Sequence, residues 1–335
     1  AEGILDNRAA QVRFIQELAK GTNSLIRKGL LEVEKAGFLN TSYLKLTEKG
    51  LELLENEGLE ILDRDSDNGL LLPEKIPAKR LFFNPDDLKR IMMLEDSLQE
   101  EKLLKIRARL EERNLPQGIT AILHGPPGTG KTESVYQMAR KTGRKIMKVE
   151  ISETKSKWFG DSEKIIKEIF SKYKRSLYSC DKFPILLFNE ADAILSRRKD
   201  IDLSGVAQTE NAIQNILLEE LENFEGIFIA TTNLISNLDA AFERRFLFKI
   251  GYEKPATTIK QKIWQDRIPT LSATESLELA KSFDLSGGEI ENICRKILIE
   301  EVLHDDKVTF QKILEFCRTE KFIPAKRNHI GFGKL

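Results

Sequence analysis

The chain has 335 residues, 41% of them hydrophobic, enough at roughly 150 residues per domain for about two domains with cores of their own, which excludes disorder as the main state. Its 53 basic and 53 acidic side chains cancel, so no global field draws the molecule onto nucleic acid or an anionic membrane, and such a partner has to meet a local patch. No apolar run approaches the roughly 18 residues of a membrane-spanning helix, no signal-peptide pattern opens the chain, and the scattered cysteines (Cys180, Cys294, Cys317) and histidines (His124, His304, His329) make neither a disulfide framework nor a zinc pattern. A cytoplasmic protein without a membrane span is expected.

Residues 1–72 read as short helices around one small strand. Ile26, Leu30 and Val33 share one helical face, and Gly37 is placed to end that helix. Tyr43 to Leu46 can pair as a strand, and Thr47 can cap a helix carrying Leu51, Leu53 and Leu54. The stretch 63–80 gathers acidic residues, Gly69, Pro73 and Pro77 without apolar periodicity, as in a linker or an extended covering segment. Asn84 and Pro85 then supply a cap and a first-turn proline for helical stretches that end near Pro116.

From Gly118 onward, apolar runs alternate with helical patterns: GITAILHG, RKIMKVEI, FPILLFN, GIFIATTN and FLFKI. Runs of this kind are buried strands of a parallel sheet. They predict an α/β domain over residues 73–250, a five-stranded parallel sheet with flanking helices. Residues 251–335, with Ile263, Trp264, Leu279, Ile290 and Ile297, predict a small helical domain.

The first of these strands runs into Gly125-Pro126-Pro127-Gly128-Thr129-Gly130-Lys131-Thr132, a G-x-x-x-x-G-K-[ST] pattern between strand and helix. Its glycines let successive amides turn toward a nucleotide's phosphates, beside the positive end of the next helix. Lys131 would reach the β and γ phosphates, the Thr132 hydroxyl would ligate Mg²⁺, and Glu133 follows at the same helix start. The third strand ends in PILLFNEADAIL, which delivers Asn189 and Glu190 to the sheet edge where α/β proteins bind ligands. Glu190 is placed to orient or deprotonate water, while the task of holding magnesium falls to Asn189. An amide keeps the oxygen but loses the charge, so metal affinity is expected to be lower than with Asp. Glu190 and Asp192 could instead only cap the following helix.

With these motifs in this order, residues 80 to 320 resemble an AAA+ ATPase of the AAA clade, the group of katanin, spastin and the proteasomal ATPases. GPPGTGKT is similar to the family's Walker A, and LLFNEADAIL to Walker B with Asn189 in place of the usual Asp. The resemblance implies a P-loop NTPase domain with a helical lid, binding ATP and Mg²⁺. It places Asn233 of ATTN at sensor 1, and Arg244 and Arg245 of LDAAFERRF at arginine-finger positions acting on a neighbour's ATP. A homo-oligomer, commonly a hexameric ring, is thereby implied. Both arginines also have a reading as surface partners of Glu243 or Glu253.

Trp158, Phe159 and Gly160 in SKWFGDSEK resemble the pore loop with which the clade grips a polypeptide. An exposed aromatic between Lys157 and Asp161 suits a channel, although core residues of the next helix would read alike. The loop 197–205 stands where a second pore loop is common. Gly287 and Gly288 resemble the small sensor 2 residues, where the backbone comes close to nucleotide. The expected function is an ATP-hydrolysing ring that threads or remodels polypeptide substrates.

KAGFLNTSYLKLTEKGLELL loosely resembles a winged helix, which makes an ATP-regulated DNA-binding factor the alternative. Residues 1–50 hold eight Lys/Arg against six Asp/Glu, a weak electrostatic footprint for a duplex binder. A slow nucleotide switch, suggested by Asn189, is the third reading.

Overall fold

The computed structural model describes residues 69–150, 158–196, 205–233 and 238–320 and, further N-terminal, residues 14, 16–17, 20, 22–35, 42–47, 49–50 and 53. The chain divides into two compact units, Ala1–Asn68 and Gly69–Leu335.

In the first unit, α1 (Ser24–Arg27) is followed by β1 (Leu31–Lys35) and β2 (Ser42–Leu46), an antiparallel hairpin pairing Leu31 with Leu46 and Lys35 with Ser42. The helical face expected through Val33 is therefore corrected. The helix stops at Arg27, Gly29 takes φ 68°, and Val33 sits opposite Leu44 in the hairpin. Leu30 and Val33 satisfy a helical spacing, but Val33 between two glutamates equally satisfies the alternation of a strand, and the partner strand decides. The Thr47 hydroxyl accepts from Gly50 N at 3.2 Å, as a cap should. Gly37, Leu51, Leu54 and most helical positions of the winged-helix reading lie outside the described residues.

The second unit opens with a two-residue strand, β3 (Leu70–Leu71), and a single 3₁₀ turn, Pro73–Lys75. Helices α2 (Pro85–Ser97) and α3 (Glu100–Glu111) precede the α/β core. The core comprises β4 (Ile119–His124), α4 (Lys131–Thr142), β5 (Ile146–Glu150), α5 (Trp158–Ser179), β6 (Ile185–Asn189), α6 (Asp192–Leu195), α7 (Gly205–Glu222), β7 (Ile227–Thr232), α8 (Ala240–Glu243) and β8 (Phe248–Gly251). All five expected strands form and run parallel, in the order β5-β6-β7-β4-β8. The antiparallel β3 adds a sixth strand beside β5, too short to show in a hydrophobic pattern.

Side chains alternate across the sheet. Ile122, Leu186, Phe188 and Phe228 face α5 and α7, while Ala121, Leu123, Leu187 and Ile229 face α2, α3 and α4. Both faces are covered, which is why the strands are apolar throughout. Arg144, just before β5, is fully buried yet satisfied by Leu98 O, Phe183 O and Glu100 at 2.7–2.9 Å.

A helical lid follows: α9 (Thr257–Arg267), α10 (Ala273–Ser282), α11 (Gly287–His304) and α12 (Phe310–Thr319), packed around Trp264, Leu279, Ile290 and Ile293. Ser272 and Ser286 close capping boxes with Glu275 and Glu289.

Residues 77–84 form an extended strap joining core and lid. Pro77 O and Lys79 N bond the Gln137 side chain of α4, Lys79 Nζ reaches both Glu291 carboxylate oxygens at 2.7 Å, and Arg80 pairs with Asp266. Phe82 packs on the lid and Phe83 on the core. Asn84 precedes α2 as expected, but its side chain makes no capping bond. Its amide instead donates to Lys254 O at 3.1 Å and accepts from Ala256 N at 2.9 Å, pinning the crossing from sheet to lid.

Candidate nucleotide site

The strand order places the candidate residues in a row at the C-terminal edge of the sheet: Glu150 on β5, Asn189 on β6, Thr231 and Thr232 on β7, then His124 at the end of β4 and Gly125 just after it. This is the edge where open α/β sheets take ligands.

The phosphate loop has the backbone its motif predicts. Gly125, Gly128 and Gly130 all take positive φ, at 141°, 74° and 93°. At Gly125 a Cβ would meet Tyr252 O at 2.0 Å, so no other residue can stand there. The three donors of the Lys131 ammonium go to Gly125 O, Pro126 O and Asn233 Oδ1 at 2.8–2.9 Å. Lys131 and Asn233, named separately as site residues, are thus in direct contact. The Thr132 hydroxyl donates to Asn189 Oδ1 at 2.7 Å, so the two candidate magnesium ligands also meet. Glu133 lines the adjoining cavity and accepts from Gln137 Nε2 at 2.9 Å.

Glu190 is exposed at the end of β6, with φ 52°, a strained conformation for a residue with a side chain. Its backbone N donates to Thr231 Oγ1 at 3.1 Å. Asp192 is not the cap of α6, whose N-cap is Ala191 without a side-chain bond; its carboxylate instead accepts from the Thr232 hydroxyl and from Asn233 N, holding the Asn233 segment in place. That role, and the part played by Glu150, are not legible in the motifs. Both depend on which strands are neighbours.

Asn189 is buried and bonded on both sides. Its Oδ1 accepts from Thr132 and, at 3.1 Å, from Thr231; its Nδ2 donates to Glu150 Oε2 at 3.0 Å. A carboxylate only accepts, so this bond fixes which end of the amide faces Thr132. Lys148 pairs with the other Glu150 oxygen. Partial burial pushes the Glu150 carboxyl up, but the hydrogen bonds from Lys148 and Asn189 outweigh it and hold the group below the usual carboxylate range.

The lid closes on the loop. Gly288 N donates to Gly128 O at 2.9 Å, and a Cβ on Gly288 would stand 3.0 Å from Gly128 Cα. Gly287 and Gly288 line one cavity with Gly128, Thr129, Gly130 and strap residues including Phe83.

Arg244 and Arg245 are not gathered into this site. Thr120, near the start of β4, donates its hydroxyl to Arg245 O at 2.7 Å, so at about 3.3 Å per residue the Arg245 backbone lies roughly 16 Å from the phosphate loop at the strand's other end. Arg245 folds back onto Glu222 at 3.0 Å, a partner other than Glu243 or Glu253. Arg244 is exposed and, among the described residues, without an ion-pair partner. The side chains of Trp158 and Phe159, the placement of Gly160 beyond its start-of-helix position in α5, and most of the loop 197–205 lie outside the described residues.

Residues 121–254 match the model of the ATPase family associated with various cellular activities (AAA). The chain carries an AAA domain. Its P-loop lysine, Asn189, Glu190, Asn233 and both arginines all fall within the matched stretch. Proteasome-activating nucleotidase 1 of Halobacterium salinarum is 31% identical over 54% of this chain and 45% of its own length. Fidgetin-like protein 1 of Drosophila melanogaster is 30% identical over 54% of this chain and 34% of its own. The proteasome-activating nucleotidase of Saccharolobus solfataricus is 30% identical over 64% of this chain and 54% of its own. The chain thus spans about half, or less, of the curated relatives it matches. Among solved structures, the FIGL-1 AAA domain in complex with ADP superposes with a TM-score of 0.54 at 19% identity, covering 78% of this chain and 92% of that one. The AAA domain therefore shares that fold.

Burial lowers the Lys131 pKa to about 8, against the pull of Asp192 and Glu190. A folded value below the ordinary lysine value means that the folded chain binds fewer protons than the unfolded one between about pH 8 and 10.5. This group's contribution to stability therefore rises with pH across that window. Phosphate recognition needs the ammonium, so nucleotide affinity should fall up to about tenfold per pH unit above 8. Opposite slopes of melting temperature and nucleotide affinity, both lost in Lys131→Met, are the expected outcome. Parallel slopes would remove Lys131 as their source.

Proposed function

We infer that the protein is an ATPase that binds Mg-ATP between the AAA domain and its lid, hydrolyses it at contacts between subunits of a ring, and uses the cycle to remodel polypeptides. The observation that carries this reading is the meeting of Lys131 with Asn233 and of Thr132 with Asn189 beside an exposed Glu190.

The donor set suits magnesium. Thr132 and Asn189 present hard oxygens to one spot, and Mg²⁺ prefers a few protein oxygens completed by phosphates and water. When bound, the ion neutralises charge developing on the phosphates. Lys131 exchanges carbonyl partners for phosphate oxygens, the loop amides and the start of α4 hold the β-phosphate, and Glu190 takes the proton of the attacking water or orients it. Asn233, kept in place by Asp192 and Lys131, orients the same water or the γ-phosphate.

The arginines' distance from their own phosphate loop favours action on a neighbouring subunit, hence a ring. Steady-state hydrolysis measured against protein concentration tests this. Specific activity should rise as subunits associate, and a constant specific activity over the dissociating range would refute catalysis shared between subunits.

The polypeptide substrate rests on the Trp158-Phe159-Gly160 motif at the start of α5. Trp158→Ala should abolish ATP-driven unfolding of a tagged, destabilised test protein while basal hydrolysis persists. Unfolding at the wild-type rate would sink the remodelling reading.

A further inference from the structure

The weak point of the site as a magnesium centre is the neutral Asn189, and the neighbouring strand holds a carboxylate directly behind it. Glu150 and Asn189 are register partners on β5 and β6, and Asn189 Nδ2 donates to Glu150 Oε2 at 3.0 Å. The same amide presents Oδ1 to the Thr132 hydroxyl at 2.7 Å. The amide therefore stands between the metal-facing hydroxyl and a negative charge.

We propose that Glu150 is the positioning residue of the magnesium site, fixing and polarising the Asn189 amide so that its Oδ1 faces the metal. The inference rests on the Mg-ATP reading above and deepens it.

Three features support this. A carboxylate accepting from an amide N–H draws electron density toward the amide oxygen, which makes Oδ1 a better ligand, and such outer partners are a regular means of tuning metal sites. The bond also fixes the amide: with Glu150 able only to accept, Oδ1 has to face Thr132. Finally, the two positions are chemically coupled. An aspartate at position 189 would set a carboxylate oxygen about where Nδ2 now is, 3.0 Å from Glu150 Oε2, two acceptors facing each other with no hydrogen between them. Asn at 189 and Glu at 150 thus form a matched donor and acceptor pair across two neighbouring strands. Lys148 holds the other Glu150 oxygen and so fixes the plane of the carboxylate without occupying the oxygen that Asn189 uses.

The test measures binding rather than turnover. A fluorescent ATP analogue is titrated onto the full chain in EDTA and then at a series of Mg²⁺ concentrations, for wild type, Glu150→Gln, Asn189→Asp and the double variant. Affinity in EDTA should be unchanged in Glu150→Gln, while the Mg²⁺ concentration that half-maximally tightens nucleotide should rise about 10- to 100-fold, the usual effect of losing an outer partner. Asn189→Asp should lower the melting temperature in EDTA. Adding Glu150→Gln to it should restore both melting and the wild-type Mg²⁺ response, because the amide introduced on β5 can donate to the carboxylate introduced on β6.

A purely structural Glu150 would weaken binding equally with and without Mg²⁺, which would overturn the proposal, as would a Mg²⁺ response in Glu150→Gln equal to that of wild type. Failure of the double variant to improve on Glu150→Gln would do the same. If wild-type affinity did not respond to Mg²⁺ at all, the Mg-ATP reading itself would fall and take this one with it, an outcome visible before any variant is made.

Discussion

Mixing two inactive variants, Arg244→Ala and Glu190→Gln, is expected to restore ATP hydrolysis that neither shows alone. Arg244→Ala should lose about 10³- to 10⁵-fold in turnover, the contribution of an arginine supplied in trans. The geometry behind this is the separation along β4: the Arg245 backbone, next to Arg244, is tied to Thr120 at one end, and the phosphate loop leaves the other. Arg244 there stands at the far end of β4 from its own phosphate loop and is exposed. In a mixed ring, an Arg244→Ala subunit keeps an intact site and receives an intact arginine from a Glu190→Gln subunit. No recovery on mixing, with mixed assemblies shown to form, would mean that Arg244 acts elsewhere. The two arginines should also separate. Arg245 carries the ion pair with Glu222, whereas Arg244 is exposed, so Arg245→Ala should cost stability as well as activity and Arg244→Ala activity alone. Thermal melts of the two variants check this.

Glu190→Gln on its own is expected to lower turnover by about 10²- to 10⁴-fold, the range of a lost general base, with nucleotide still bound. Its side chain is exposed and, among the described residues, makes no hydrogen bond, so the substitution removes proton affinity without disturbing packing. The strained backbone, φ 52°, is shared by Glu and Gln and does not change. Turnover within about tenfold of wild type, measured at saturating Mg-ATP, would transfer the role of base to another group. Melting and nucleotide binding should match wild type; a fall in either would point to structural damage.

What is legible in the amino-acid sequence is what is local along the chain. GPPGTGKT carries its meaning in eight consecutive residues, and the apolar runs before Gly125 and before Asn189 announce buried strands wherever those strands lie in the sheet. Non-local information is out of reach. The spacing of Val33 from Leu30 allows a helix, and only Leu44 across the hairpin settles the matter. Asp192 reads as a cap because its hydrogen bonds to Thr232 and Asn233 cross from one strand end to the next, where no local pattern points. Asn84 does stand before α2, yet its amide is committed 170 residues away at Lys254. Glu150 stands next to Asn189 only because β5 and β6 are neighbours, an adjacency that sequence order does not dictate.

The strap over residues 77–84 has a mechanical consequence. It is bonded to the lid through Lys79 and Glu291 and to α4 through Gln137, and it continues through the turn at Pro73 into β3 at the edge of the sheet. If the lid tilts as nucleotide is exchanged, either the Lys79–Glu291 pair breaks or tension passes along the strap to β3. That strand is held to the sheet by only two residue pairings, which makes it the weakest link in the line. Strain from a tilting lid would then leave the parallel strands in place and be taken up at β3, the edge strand nearest the strap.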